Sequence, residues 1–519
     1  MTAHLLLVLP VALPLAVAVI TLLMRRAPAA QKWVNLAGMS GLLLTAVLLM
    51  QRVSAEGIQA TGWGGWPMPF GITFVGDHLS AIMVLISAIM AVAVAIYSMA
   101  DMDEQRIKYG FYPFMNLLVA GVCGAFLTGD VFNLYVWFEV LLIASFCLMS
   151  LGNLREQLTA NIKYVAINIV SSLFFLAGVG LLYGVTGSLN MAEIASVLAE
   201  TDRPGLLTTI SMLFMVAFGI KAAIFPLYYW LPAAYHTPPP SVMALFAGLL
   251  TKVGVYALIR FFTLIFTQDV GYTHTLLLWI AGFTMVSGVL GAAVQKDFRR
   301  ILSFHIISQI GYMIMGLALF TPLALIGAIY YVVHNILAKS NLFLISGVAN
   351  QLKGSFRLKK LSGLYAGYAG LSILFIISAF ALAGFPPLSG FWGKLMLAIA
   401  ALEAQEYIIV AVALAVGMMT MYSMTKIWMK GFMPGQAQEP AANGAGAAAG
   451  SEEAGNGAAT AVATQPLTKT QQVQLYTPII LIAGLIVGIS IFIGPVYTLG
   501  EAAATELLDT SFYIDAVLD

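Results

Sequence analysis

Four lysines and one glutamate, Lys221, Lys252, Lys339, Lys394 and Glu139, lie deep inside long apolar stretches. A charged side chain at the centre of a bilayer costs about 2.5–3.5 kcal/mol on insertion scales. Such residues persist where they pair with one another, line water or carry protons, so their positions point to proton movement across a membrane. Glu139 closes the segment Asn133-Leu-Tyr-Val-Trp-Phe-Glu139. Alone in hydrocarbon it would be protonated, and beside a lysine it would ionise. A Glu139–Lys221 pair of variable separation would let Lys221 alternately keep and lose its proton. The competing reading is a static ion pair that only orients two helices.

Prolines stand beside two of the lysines. A proline inside a span frees the carbonyl four residues earlier and opens the helix. Pro226 thus frees Ala222, next to Lys221, while Pro386 and Pro387 free Leu382 and Ala383. Lys394 would follow roughly 10 Å further along at 1.5 Å per residue. Opened backbone at membrane depth is tolerated where protein or cavity water satisfies it. Packing kinks explain one such proline; two breaks, each coupled to a buried lysine, favour a hydrated ion path. Pro238, Pro239 and Pro240 precede the stretch that holds Lys252. His334 and Asn335 accompany Lys339, and a polar stripe of Ser303, His305, Ser308 and Gln309 lies upstream. Histidine titrates near neutrality and suits a relay, but both features are equally compatible with hydrogen bonds between helices. Lys426 and Lys430 end another stretch, and their long stems are expected to carry the ammonium groups to the interface.

These residues need a membrane-embedded frame. Of 519 residues, 61% are hydrophobic and 9% charged, against about 25% charged in soluble domains. At about 20 apolar residues per span, about fourteen transmembrane helices are expected, making an all-α polytopic membrane protein. They run near 3–24, 32–51, 78–100, 111–128, 130–151, 159–185, 206–231, 239–262, 274–295, 300–319, 322–350, 371–402, 407–430 and 475–498. With loops alternating between sides, seventeen of the 24 Lys+Arg fall on one side and only Arg52, Arg203 and Arg260 on the other. The four remaining lysines are intramembrane. The positive-inside rule then places both termini outside the cell. Ala3 to Met24 has no basic segment before it and reads as a retained first helix. Glycine-rich residues 52–77 read as an external loop with room for a short hairpin, and 434–468 as a flexible cytoplasmic linker.

Helices 7 and 12 each combine a mid-span Phe-Pro with a nearby lysine. They are five helices apart, so a five-helix repeat relating them would be inverted across the membrane, a plan that recurs in ion-coupled transporters. Expected units are therefore 1–108, 109–262, 274–430, the linker 431–472, and 473–519. A net charge of +1 without a basic block argues against nucleic acid. Cys123 and Cys147 form no CxxC or Cys/His cluster, which disfavours a disulfide framework or a metal site. With no Walker A segment, Rossmann glycine pattern or paired haem histidines, neither ATP hydrolysis nor electron carriage is expected, and no cofactor.

Together these residues resemble the antiporter-like membrane subunits shared by Mrp-type multisubunit Na⁺/H⁺ antiporters and respiratory complex I. The resemblance spans about residues 70–430. It is carried by the glutamate of helix 5, Lys221 before a proline break, His-Thr-Pro-Pro-Pro-Ser at 236–241 leading to Lys252, and Gly-Phe-Pro-Pro-Leu-Ser-Gly-Phe-Trp-Gly-Lys at 384–394. Gly129-Asp-Val-Phe-Asn-Leu-Tyr-Val-Trp-Phe-Glu139 and Arg300-Ile-Leu-Ser-Phe-His-Ile-Ile-Ser-Gln-Ile-Gly-Tyr312 are similar to the D-type branch. M-type complex I subunits typically carry glutamate where Lys394 stands. Related subunits often show His-x-x-x-Lys on helix 11; here Asn335 holds that place and His334 is displaced by one.

The resemblance implies inverted repeats of helices 4–8 and 9–13, with helices 7 and 12 broken. Glu139 and Lys221 would gate proton movement, Lys252 would relay it laterally, Lys339 with His334 would continue it, and Lys394 would deliver it to the opposite side. Helices 10 and 13 have no mid-span counterpart of Glu139 and Lys252, which suits a one-way lateral path. The resemblance further implies a bacterial cell-membrane complex with A-, B-, C-, E-, F- and G-type partner subunits that exchanges Na⁺ for protons. A transporter subunit without redox chemistry of its own is expected. The rivals are the proton-pumping arm of an NADH dehydrogenase-like or hydrogenase-like complex, and a scaffold whose buried charges only organise helix contacts.

Overall fold

The computed structural model describes residues 3–201, 203–434 and 467–518. The predicted linker at 431–472 lies mostly outside the described residues. Among those described, twelve helices are long and apolar enough to cross a membrane. In chain order the frame is α1 (Ala3–Leu23), α2 (Pro28–Glu56), a hairpin β1 (Gln59–Gly62) and β2 (Thr73–Gly76), α3 (His78–Asp101), α4 (Phe111–Leu127), α5 (Val131–Ser150), α6 (Arg155–Thr186) and α7 (Pro204–Ala222). It continues with α8 (Pro240–Ile265), α9 (Val270–Val294), α10 (Phe298–Leu319) and α11 (Pro322–Lys353). Last come α12a (Ala369–Ala383), α12b (Ser389–Glu403), α13 (Tyr407–Phe432), α14 (Lys469–Ile491), α15 (Ile493–Leu508) and α16 (Ser511–Leu518).

Two of the fourteen expected spans are not long continuous helices. α4 has 17 residues, and the twelfth position is a pair of 15-residue helices.

Side-chain caps set where the helices begin. Asp77 accepts from the Ser80 backbone N–H at 2.8 Å while the Ser80 hydroxyl accepts from Asp77 N–H at 2.9 Å, a reciprocal capping box at the start of α3. Asp130 caps α5 through Asn133 N–H at 2.6 Å, and Asp297 caps α10 through Arg299 N–H at 3.0 Å. In hydrocarbon every free backbone donor is expensive, so caps of this kind suit helices of an apolar bundle.

Burial separates interior from periphery. The most apolar stretch of α8 is entirely buried, and those of α10 and α11 are 94% and 89% buried, while α6, α9, α13 and α14 each stand at 39%. The lysine-bearing helices α8 and α11 therefore run through the centre of the molecule.

The two predicted breaks are present. α7 stops at Ala222, nine residues before its expected end, and Ala223 turns left-handed (φ 60°). α12a stops at Ala383, and Gly384 turns left-handed (φ 87°). α8 also departs from regularity in a way the sequence did not announce: π-helical turns occupy Phe246–Leu250 and Phe261–Ile265. The tail after the last span is the other departure. α14 ends at Ile491, and α15 and α16 fold back onto the bundle with Leu507, Tyr513 and Val517 buried. Each is too short to register as a span, which is why apolar length alone missed them.

α8 approaches the α7 break closely enough to require glycine. A Cβ on Gly254 would stand 2.5 Å from Ala222 N and 2.9 Å from the Lys221 carbonyl carbon. Overpacking of this kind costs about 1–3 kcal/mol. Gly254→Ala is expected to lower the melting temperature of the purified protein, whereas Gly180→Ala, where a Cβ meets nothing within 4 Å, is expected to leave it unchanged or slightly raised. Equal behaviour of the two variants would refute the close approach.

Candidate functional site: a buried polar axis

At one end of the axis, α5, α6 and α7 bring Glu139, Ser172 and Lys221 together. The Ser172 hydroxyl donates to Glu139 Oε1 in a short hydrogen bond. The Lys221 ammonium donates to Ser172 Oγ and to the Asn168 carbonyl, each at 3.4 Å, with the Phe138 ring centroid 5.7 Å away. The Ser172 hydroxyl thus bridges Glu139 and Lys221 in a three-membered chain, and among the described residues no direct ion pair of the static kind joins the two. The reason is packing: α6 runs against both α5 and α7 and interposes its own hydroxyl. The signal was present in the sequence, since Asn168 and Ser172 stand four residues apart on one face of an apolar helix. Ser172→Ala should lower proton movement through the chain severalfold, with Ser172→Thr restoring most of it because the hydroxyl returns. A threonine variant as impaired as the alanine variant would show that shape, and not the hydroxyl, matters.

The two breaks are finished differently. At α7, the Trp230 indole N–H donates to the Ile220 carbonyl at 3.0 Å, and the Phe225 N–H donates to Thr284 Oγ1 of α9 at 2.9 Å. Other side chains satisfy this backbone, and Lys221 is left to reach α6. At α12, Lys394 itself does the work: its ammonium donates to the carbonyls of Ala383 at 2.9 Å and Leu382 at 3.3 Å, with the Tyr312 ring centroid at 5.0 Å. The expected separation of roughly 10 Å between break and lysine is therefore corrected. The chain turns at Gly384–Leu388 so that α12b folds its lysine back onto the opened end of α12a.

Between these ends lie two fully buried lysines. Lys252 donates to the Ala247 carbonyl at 2.7 Å, within the first π turn of α8. Lys339 donates to the Leu302 carbonyl of α10 at 3.4 Å and lies within electrostatic range of both Lys252 and Lys394. His334 does not bond Lys339. Its Nδ1 meets the Ser389 hydroxyl at 2.7 Å, at the first residue of α12b, and only because residue 390 is glycine can α12b lie so close. Gln309 accepts a short hydrogen bond from the Tyr331 hydroxyl. Ser389, Tyr312 and Tyr331 are contributors that reading single motifs passed over.

Several buried polar atoms on α8, α10 and α11 have no protein partner among the described residues. They include both ring nitrogens of His305, Ser308 Oγ, Gln309 Nε2, His334 Nε2, both side-chain ends of Asn335, Asn341 Oδ1 and Thr251 Oγ1. Native interiors leave few such atoms unpaired, and clusters of them normally mark hydration or a relay. Pro226, Pro386 and Pro387 sit at the two breaks and contribute geometry only. One peripheral expectation fails: Lys426 does not reach outward but turns inward to cap the end of α9, donating to the carbonyls of Ala293 at 2.7 Å and Gln295 at 2.8 Å. Lys430 is exposed as expected.

Residues 128–420 match the family described as NADH:quinone oxidoreductase/Mrp antiporter, TM. The chain belongs to this family. It is 42% identical over 513 residues to the D-type subunit of the Na(+)/H(+) antiporter of Alkalihalophilus pseudofirmus, covering 99% of each chain. A second relative, the corresponding Na(+)/H(+) antiporter chain of Bacillus subtilis, is 40% identical over 436 residues, covering 84% of this chain and 88% of the relative. Among solved structures, a chain of the Mrp complex from Dietzia sp. DQ12-45-1b superposes with a TM-score of 0.89 at 33% identity over the full length of both. A chain of respiratory complex I from Thermus thermophilus, at 23% identity and a TM-score of 0.78 over 98% of this chain, shares the fold. The resemblance read from the helix 5 glutamate, the proline breaks and the lysines thus extends to the whole Mrp antiporter-family chain.

Proposed function

We propose that this Mrp-family chain is the D-type, proton-conducting subunit of a multisubunit Na⁺/H⁺ antiporter of the bacterial cell membrane, assembled with A-, B-, C-, E-, F- and G-type subunits. The observation that carries the reading is the set of four lysines inside apolar helices, with partnerless buried polar atoms on α8, α10 and α11. Protons pass from the Glu139–Ser172–Lys221 group to Lys252, across to Lys339, and on to Lys394, with water and His305, Ser308, Gln309, His334 and Asn335 bridging the gaps. Helices 4–8 and 9–13 act as inverted halves, each opened by its break. The hairpin end, which also holds α15 and α16, faces outward, and the basic loops face the cytoplasm.

Each lysine already rests on a backbone carbonyl, so it can release a proton without leaving its own nitrogen unsupported. That property suits a relay better than a scaffold, in which buried charges pair directly. The test is Na⁺-dependent proton exchange by the assembled complex in everted vesicles, comparing the wild type with Lys252→Met and Lys339→Met. Loss of exchange with all subunits still co-purifying supports the axis; normal exchange by both variants sinks it. A redox-active peripheral arm co-purifying with the chain would favour the redox-pump rival instead.

A further inference from the structure

The outer half of α8 carries a second charged group that the lateral axis does not use. Arg260, counted from sequence with the outer-side charges near the end of the span 239–262, is 3% exposed and lies inside the helix. Lys252, Tyr256 and Arg260 follow one another at four-residue steps and so share a helix face. Arg260 forms an ion pair with Asp77 at 2.5 Å, donates to the Tyr256 hydroxyl at 3.3 Å, and has the Tyr256 and Tyr513 ring centroids 5.4 and 5.1 Å away. The Tyr256 hydroxyl in turn donates to the Phe126 carbonyl at 2.7 Å. Next to Asp77, Glu506 of α15 accepts from the His78 backbone N–H at 2.9 Å and meets His78 Nδ1 at 2.6 Å.

The arrangement fixes a guanidinium in one place. Asp77 Oδ1 is committed to the α3 cap and its Oδ2 to Arg260; Tyr513 comes from the tail helix α16, and Glu506 clasps α15 to the residue after Asp77. The Lys252 ammonium, meanwhile, turns the other way, onto Ala247, which precedes it in the helix. An arginine stays charged at any physiological pH, so it cannot relay a proton, and a fixed positive charge in a narrow path excludes protons and cations.

Resting on the proposed role of Lys252, we propose that Arg260, held by Asp77 and covered by the tail tyrosine, is an electrostatic seal that stops protons on Lys252 from escaping to the hairpin side. Protons reaching Lys252 are thereby directed sideways to Lys339. The eight residues from Lys252 to Arg260 span about 12 Å. At an effective dielectric near 20, two unit charges that far apart change an occupancy by up to about tenfold, and the Asp77 carboxylate reduces this.

The test is passive proton leak through the reconstituted, assembled complex without Na⁺, together with Na⁺-driven exchange. Arg260→Met is expected to raise the leak about two- to tenfold, and adding Lys252→Met is expected to abolish the extra leak. An assembled Arg260→Met complex with unchanged leak overturns the seal, as does a raised leak that Lys252→Met fails to suppress. If removing one buried partner prevents assembly, the neutral pair Asp77→Asn with Arg260→Gln is read by the same two outcomes. Failure of the Lys252 reading is seen separately, as normal exchange by Lys252→Met alone.

Discussion

Glu139→Ala will abolish Na⁺/H⁺ exchange in a complex that still assembles. Glu139 is half-buried and, among the described residues, its side chain accepts only the Ser172 hydroxyl, so truncation opens little packing. What disappears is the charge opposite Lys221. Two opposite charges separated by one hydroxyl, about 6 Å, attract by about 3 kcal/mol at an effective dielectric near 20. That is about a hundredfold bias on the equilibrium that draws the ammonium toward α6. Glu139→Gln separates charge from shape, because the amide oxygen still accepts from Ser172. Gln is expected to fail as completely as Ala, and Asp to retain part of the rate. The check is exchange by everted vesicles normalised to assembled complex; full activity in the Gln variant would remove charge from the mechanism.

The second large effect belongs to Lys394, which does two things at once. Lys394→Met removes a relay group and leaves the Leu382 and Ala383 carbonyls without their donor. Each orphaned group costs about 1–3 kcal/mol, so exchange should vanish and the melting temperature of the purified complex should fall by several degrees. Lys394→Arg divides the two roles. A guanidinium can still donate to the carbonyls but is not deprotonated in proteins, so stability should recover while exchange does not. Recovery of exchange with arginine would mean that Lys394 is a cap and not a carrier.

Charge and apolar length made much of this chain legible in advance. A charged residue inside an apolar run is conspicuous whatever surrounds it, so Glu139 and the four lysines stood out as isolated letters. Likewise Pro226 and Pro386–Pro387 announce broken helices, because a missing N–H is a property of the residue itself. Reading apolar length had the converse weakness. It counted Arg260 with the outer-side charges although the residue falls inside the predicted span 239–262, and it overlooked α15 and α16, whose apolar faces are real but too short to cross a bilayer.

Partnership was the part that residue types could not declare. Opposite charges marked Glu139 and Lys221 as a pair, but which side chain intervenes depends on which helix packs between, and α6 supplied Ser172. Along the chain Lys394 lies well past its break, yet the turn at Gly384 puts its ammonium on the two carbonyls that the prolines free. His334 is near Lys339 in sequence and bonds Ser389 on another helix, because its ring leaves α11 toward α12b. By itself the sequence determined that this is an all-helical membrane chain with costly charges held at depth, because desolvation penalises each residue individually. Only the tertiary structure decided which carbonyl, hydroxyl or carboxylate each charge meets, because those contacts arise between helices far apart in the chain.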